Sequence, residues 1–138
     1  MTTTLQQRPA TGFGELESNR RIAVDFLTKA ATGHAREVWN EYGSPDFIHH
    51  NPWFPADGPS LVAGMDDNFK QYPKKQMEVL RTIAEGSLVT VHTRVRLEPD
   101  GSDYGIVHIF RIEDGKLREM WDIAMEGPAD SPNERGMF

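Results

Sequence analysis

The sequence predicts an α+β domain, an open cone in which N-terminal helices pack on a curved antiparallel sheet. Three observations carry this. Apolar residues recur at helical spacing through the first half of the chain and switch to strand alternation after Pro73. Turn signals at Glu85-Gly86, Pro99-Asp100-Gly101 and Asp114-Gly115 then divide the second half into a meander. Helices first and strands afterwards mean segregated layers, not the alternation of an α/β fold. The open end of such a cone is a natural ligand pocket.

The elements follow in order. Residues 1–17 are rich in Thr, Gln, Pro and Gly and are expected to form a flexible arm. Ser18-Asn19 offers a helix cap ahead of Ile22, Ala23, Phe26, Leu27 and Ala30, and Gly33 ends that helix. A second helix over residues 35–42 carries Val38, Trp39 and Tyr42 and stops at Gly43-Ser44-Pro45. Residues 46–53 read either as a short strand or as an irregular segment. Pro52, Pro55, Pro59 and Asp57-Gly58 make residues 52–60 a loop. A third helix is expected over residues 64–72. Strands follow at 77–84, 88–97, 104–112 and 117–125, and residues 127–138 form an irregular tail. The domain proper is thus residues 18–126.

Composition narrows the function. At 138 residues the chain is one ordinary domain with room for a real core. Its net charge of −6 argues against nucleic acid or an acidic membrane as partner. With no cysteine, disulfides, thiolate metal sites and cysteine nucleophiles are excluded. No apolar run has membrane-span length and the N-terminus lacks a secretory pattern, so a cytoplasmic protein is the expectation.

Residues 106–125 form a hairpin with two polar intruders, His108 and Asp122. A carboxylate inside Met-Trp-Asp-Ile-Ala-Met is costly to bury unless it is partnered. A two-residue Asp114-Gly115 loop would set His108 opposite Trp121 and turn Asp122 to the other face. A three-residue loop pairs Ile112 with Lys116 and leaves His108 and Asp122 as diagonal neighbours on one face. The first register also opposes Arg111 and Arg118, which favours the second or an equivalent bulge.

Several stretches together resemble the SnoaL-like polyketide cyclases, members of the cone-shaped NTF2-like superfamily. They are Ile48-His49-His50-Asn51-Pro52, Asp57-Gly58, Val91-His92, Phe110-Arg111-Ile112, Asp114-Gly115-Lys116 and Glu119-Met120-Trp121-Asp122. The likeness spans residues 18–126. It implies a pocket lined by a histidine and an aspartate of the last two strands, with the aspartate as acid/base. His108 and Asp122 stand at those positions. The doubled His49-His50 departs from the pattern, and Asn133 and Gly136-Met137-Phe138 lie beyond it.

The chemistry follows from these two residues. A proton flanked by two carbonyls needs a base and no metal, and a carboxylate desolvated in an apolar cone is a better base. Asp122 would take the proton, the enolate carbon would attack a second carbonyl, and Asp122 would return the proton to the alkoxide. His108 would hydrogen-bond the developing charge. His49, Asn51, His92 and Trp53 are the candidate substrate-binding residues, with Trp53 as a lid.

Each has a plainer reading. Asp122 could be ion-paired at the sheet margin, His108 a satisfied sheet histidine, Asn51 a turn former before Pro52, and His92 solvent-facing. His49, His50, His92, His108 and Asp122 could hold a metal only if they converge, and no tight ligand spacing supports that. The expected site is therefore free of metal and cofactor. The expected function is intramolecular aldol condensation of a small apolar carbonyl compound. Isomerisation, dehydration or hydrolysis in the same pocket is one alternative, and a non-catalytic ligand-binding dimerisation module is another. Val89, Val91, Val95, Val107 and Ile109 are read as sharing one apolar face of the sheet; the helices can cover only one face, and an apolar uncovered face would pair in a homodimer.

Overall fold

The computed structural model describes residues 12–138. Three helices, α1 (Phe13–Ala31), α2 (Ala35–Tyr42) and α3 (Gly58–Gln71), pack on one side of a mixed five-stranded sheet. Its strands are β1 (Ile48–His49), β2 (Gln76–Glu85), β3 (Leu88–Arg96), β4 (Asp103–Glu113) and β5 (Lys116–Glu126), in spatial order β1-β5-β4-β3-β2. All neighbours are antiparallel except β1, which lies parallel to β5. The sheet is curved and unclosed, as expected of the α+β cone.

Two helices start earlier than their sequence signals suggested. Helix α1 begins at Phe13, so Ser18 and Asn19 lie inside it, and Asn19 is buried. The remainder of the expected arm, residues 1–11, lies outside the described residues. Helix α3 begins at Gly58, inside the stretch read as loop. Asp57 is its cap: Oδ1 accepts from the Ser60 N–H at 2.8 Å, and Pro59 occupies the first turn, where a missing N–H costs nothing. Gly58 is required there because any Cβ would run into the Trp39 ring.

The core lies between α1 and the concave side of the sheet. Ile22, Ala23, Phe26, Leu27 and Ala30 of α1 are all buried, and Phe26 meets Phe110 edge-on at 5.8 Å. Val89, Val91, Thr93 and Val95 of β3 face these helices. The expectation that Val89, Val91, Val95, Val107 and Ile109 share one face is therefore corrected. Val107 and Ile109 alternate to the convex side, where Ile83, Ile123 and Met125 are exposed.

The last hairpin combines features of both registers. Its loop is the two-residue one: Glu113 pairs with Lys116, and Asp114 and Gly115 both have positive φ, 54° and 70°. One step later the register shifts. Ile112 pairs with Leu117 but Arg111 pairs with Glu119, which leaves Arg118 as the extra residue of a bulge. Arg111 thus meets a carboxylate at 3.3 Å in place of a second guanidinium, while Arg118 reaches Asp46 at 3.1 Å. From there on His108 stands directly opposite Asp122.

The cap on α3 makes the first prediction. Asp57→Ala should lower unfolding free energy by about 1 kcal/mol, read as a lower denaturant midpoint with unchanged m-value. An unchanged midpoint would remove Asp57 as the reason α3 starts where it does.

Candidate active site

A cavity of about 230 Å³ opens between α1, α3, the β1–α3 loop and the concave sheet. Leu27, Leu61, Met65, Met77, Val95 and Ile106 make its walls mainly apolar. Asp122 and His108 both line it, brought to one face by the Arg118 bulge. A larger hollow of about 460 Å³ lies beside the C-terminal tail. Its Arg94 and Asp103 are already ion-paired at 3.8 Å, and its walls are short loops, so the smaller cavity is the better place for chemistry.

Asn51 positions Asp122. The Asn51 Nδ2 amide donates to Asp122 Oδ2 at 2.8 Å, and Asn51 Oδ1 accepts from the Trp53 N–H at 3.0 Å. The turn that fixes Asn51 is therefore the same interaction that aims its amide at the carboxylate. Turn former and site residue are one role. Among the described residues no Lys, Arg or His forms an ion pair with Asp122.

His108 is buried and stacked on Phe110, with ring centroids 6.0 Å apart. Its Nδ1 is buried with no hydrogen-bond partner among the described residues. Burial pushes its pKa down to about 4, against a smaller upward pull from the Asp122 carboxylate. At neutral pH the ring is uncharged, so it can donate one N–H without neutralising Asp122.

The other expected ligand-contact residues lie elsewhere. His49 is buried, but both ring nitrogens are engaged. Nδ1 accepts from the Asn51 N–H at 3.1 Å and Nε2 donates to the Pro55 carbonyl at 2.6 Å, a pattern that assigns the Nε2–H tautomer. His49 thus holds the Asn51 loop and does not line the cavity. His92 is on the convex face, beside Arg81 and stacked near Phe138 at 6.2 Å. Trp53 is 84% exposed, and its neighbour Phe54 takes the place at the cavity wall. His50 bonds Glu119 at 2.7 Å and stacks on Trp121, away from the cavity. The five side chains considered for a metal do not converge, and no group of three potential ligands forms among the described residues.

The sequence reading missed two polar residues of the cavity wall, Asn68 and Lys75. Asn68 follows Met65 by three residues, so helical spacing could have placed it on the same face. Lys75 follows Pro73-Lys74 at a turn and reads as an ordinary solvated lysine; no sequence signal marks it.

A family model described as the SnoaL-like domain matches residues 23–120. Solved structures of similar fold include a candidate polyketide cyclase from Bacillus cereus, 18% identical, with TM-score 0.71 and 90% of each chain covered. AclR, a candidate hydroxylase from Streptomyces galilaeus, is 21% identical with TM-score 0.66, covering 80% of this chain and 90% of its own. A candidate ketosteroid isomerase from Kribbella flavida is 20% identical with TM-score 0.66, covering 86% and 85%. Among curated protein sequences none matches the chain. No helix among the described residues is long and apolar enough to cross a membrane.

The buried histidine has a thermodynamic consequence. Between the ordinary value of 6.5 and about 4, the unfolded chain binds a proton that folded His108 refuses. Stability should therefore fall as pH drops through that window, by on the order of 1–3 kcal/mol from this group. Denaturation across the window should show the slope in the wild type and a flatter one in His108→Phe. Equal slopes would contradict the burial of an uncharged ring.

Proposed function

The chain belongs to the SnoaL-like family of the NTF2-like superfamily, and from that premise we propose that its cavity performs metal-free acid/base chemistry on a small carbonyl compound. The reaction we assign is intramolecular aldol condensation. The observation that carries it is the Asp122 carboxylate, oriented by Asn51, free of any ion pair among the described residues, and opposite an uncharged His108 in an apolar cavity.

Asp122 takes a proton from the carbon between two carbonyls. Because Asn51 occupies Oδ2, Oδ1 is the oxygen that receives it. The electron pair of the broken C–H bond moves to the carbonyl oxygen, where an N–H of His108 hydrogen-bonds the enolate. The enolate carbon then bonds to a second carbonyl carbon of the same molecule. The resulting alkoxide recovers the proton from Asp122, which gives the cyclic β-hydroxy carbonyl compound without loss of water and restores the carboxylate. The apolar walls fold the substrate so that the two carbons meet. An uncharged His108 matters here, because an imidazolium opposite Asp122 would lower its basicity.

Isomerisation uses the first half of this sequence and returns the proton to a different carbon. The isomerase candidate among the similar folds keeps that reading as the second choice.

The test is enzyme-dependent deuterium exchange into a panel of β-keto esters that carry either a further ketone within ring-closing reach or a carbon–carbon double bond next to the acidic carbon, with product analysis by NMR. Exchange above the spontaneous rate is expected in the wild type. Asp122→Asn should lower it at least about 100-fold while leaving the melting temperature close to wild type. Exchange with a ring-closed product supports the condensation, and exchange with only a shifted double bond supports isomerisation. Binding without exchange would leave a ligand-binding module.

The convex face supports a homodimer as the working unit. Ile83, Ile123 and Met125 are exposed there, flanked by Val107, Ile109 and Trp121. Sedimentation at micromolar concentration should give a dimer for the wild type and a monomer for Ile123→Glu. A monomeric wild type would contradict this assembly.

A further inference from the structure

The proposed reaction leaves one charged group of the cavity without a task. Lys75 sits in the turn between α3 and β2, where its N–H donates to the Tyr72 carbonyl at 3.0 Å. Its Nζ donates to Asn68 Oδ1 at 2.7 Å, and both side chains line the cavity. Among the described residues no carboxylate lies within ion-pair distance of that ammonium. The same cavity wall is otherwise largely apolar, with Phe54, Met65, Met77 and Leu97.

A partly buried ammonium whose protein partner is a neutral amide is poorly compensated. The cost is visible in its basicity: burial alone holds the Lys75 amine below the usual lysine range. One of its three N–H donors goes to Asn68, which leaves two directed by the same anchor. Across the cavity, Asp122 is the lining carboxylate among the described residues. Lys75 precedes β2, and Asp122 is in β5, with β3 and β4 between them. Counted along the sheet, the two backbones are three strand spacings apart, roughly 14 Å, so the two charges enter the cavity from different parts of its wall. The cavity is therefore bipolar, with an apolar middle.

We propose that this cavity binds its ligand as an anion, a keto carboxylate with an apolar body, whose carboxylate is held by Lys75 beside Asn68. The carboxylate supplies the counter-charge that the protein withholds, through charge-assisted hydrogen bonds. The opposite end, carrying the acidic carbon, then lies at Asp122. Like charge at Asp122 disfavours the reverse orientation, so one lysine selects both the substrate class and its direction. The assignment rests on the proposed reaction only for which end of the ligand meets Asp122.

The experiment compares binding of 4-phenylbutanoate and its isosteric amide, 4-phenylbutanamide, by calorimetry, and so requires no turnover. Wild-type chain should bind the acid at least about tenfold more tightly than the amide. Lys75→Met keeps an apolar stem and should abolish the preference, whereas Lys75→Arg should keep it. The preference should also fade as pH rises towards, but before reaching, the ordinary lysine value of 10.5. Asp122→Asn should retain the preference, which separates failure of this assignment from failure of the acid/base reading. A wild type that binds the acid no more tightly than the amide, including one that binds neither, overturns the proposal. So does a preference that survives in Lys75→Met.

Discussion

The bulge at Arg118 is the constraint on which the candidate site depends. Side chains on a strand alternate faces, so one inserted residue reverses every assignment beyond it. Leu117 faces the core before the bulge; Met120 and Asp122 face the same side after it. Without the insertion, Leu117 inward would put Trp121 inward and send Asp122 to the convex face. Two anchors accompany the bulge. The buried Ser44 hydroxyl donates to the Leu117 carbonyl, and Arg118 reaches Asp46. The local electrostatics agree, since the shift exchanges an Arg–Arg opposition for the Arg111–Glu119 pair.

A second layer of constraint comes from the loop after β1. His49 is buried and uses both ring nitrogens on the loop backbone, and Asn51 closes a turn onto Trp53. These bonds fix the amide that holds Asp122 Oδ2, so the carboxylate is oriented before any ligand arrives. Burial of His108 works in the same direction. An uncharged ring can donate a hydrogen bond yet forms no ion pair with the carboxylate opposite. In the proposed reaction the base is thus kept available by desolvation of its neighbour.

Much of this was legible in the sequence, for identifiable reasons. The change of period after Pro73 and the Gly-marked turns carried the α+β cone. The like-charge clash of Arg111 and Arg118 favoured a register in which His108 and Asp122 share a face, and of the two routes to it, a longer loop or a bulge, the structure uses the bulge. What escaped was long-range or ambiguous locally. Asp57-Gly58-Pro59 serves equally as a turn and as a capped helix start, and only packing against Trp39 decides. The valines of β3 alternate perfectly, but alternation does not say which face the helices cover. His92 and Trp53 have the right chemistry on the wrong side of the sheet or loop. Lys75 reaches the cavity because the turn after α3 brings its ammonium back to Asn68, a fact no local pattern records.

The most direct test of the central claim is a structure of the chain with a bound, non-cyclisable 1,3-diketone. The account predicts the acidic carbon within about 3–3.5 Å of Asp122 Oδ1, one carbonyl oxygen against a His108 ring nitrogen, and the Asn51–Asp122 bond intact. A ligand seated in the hollow beside the C-terminal tail, or in the cavity with its carbonyls turned away from Asp122 and His108, would contradict it.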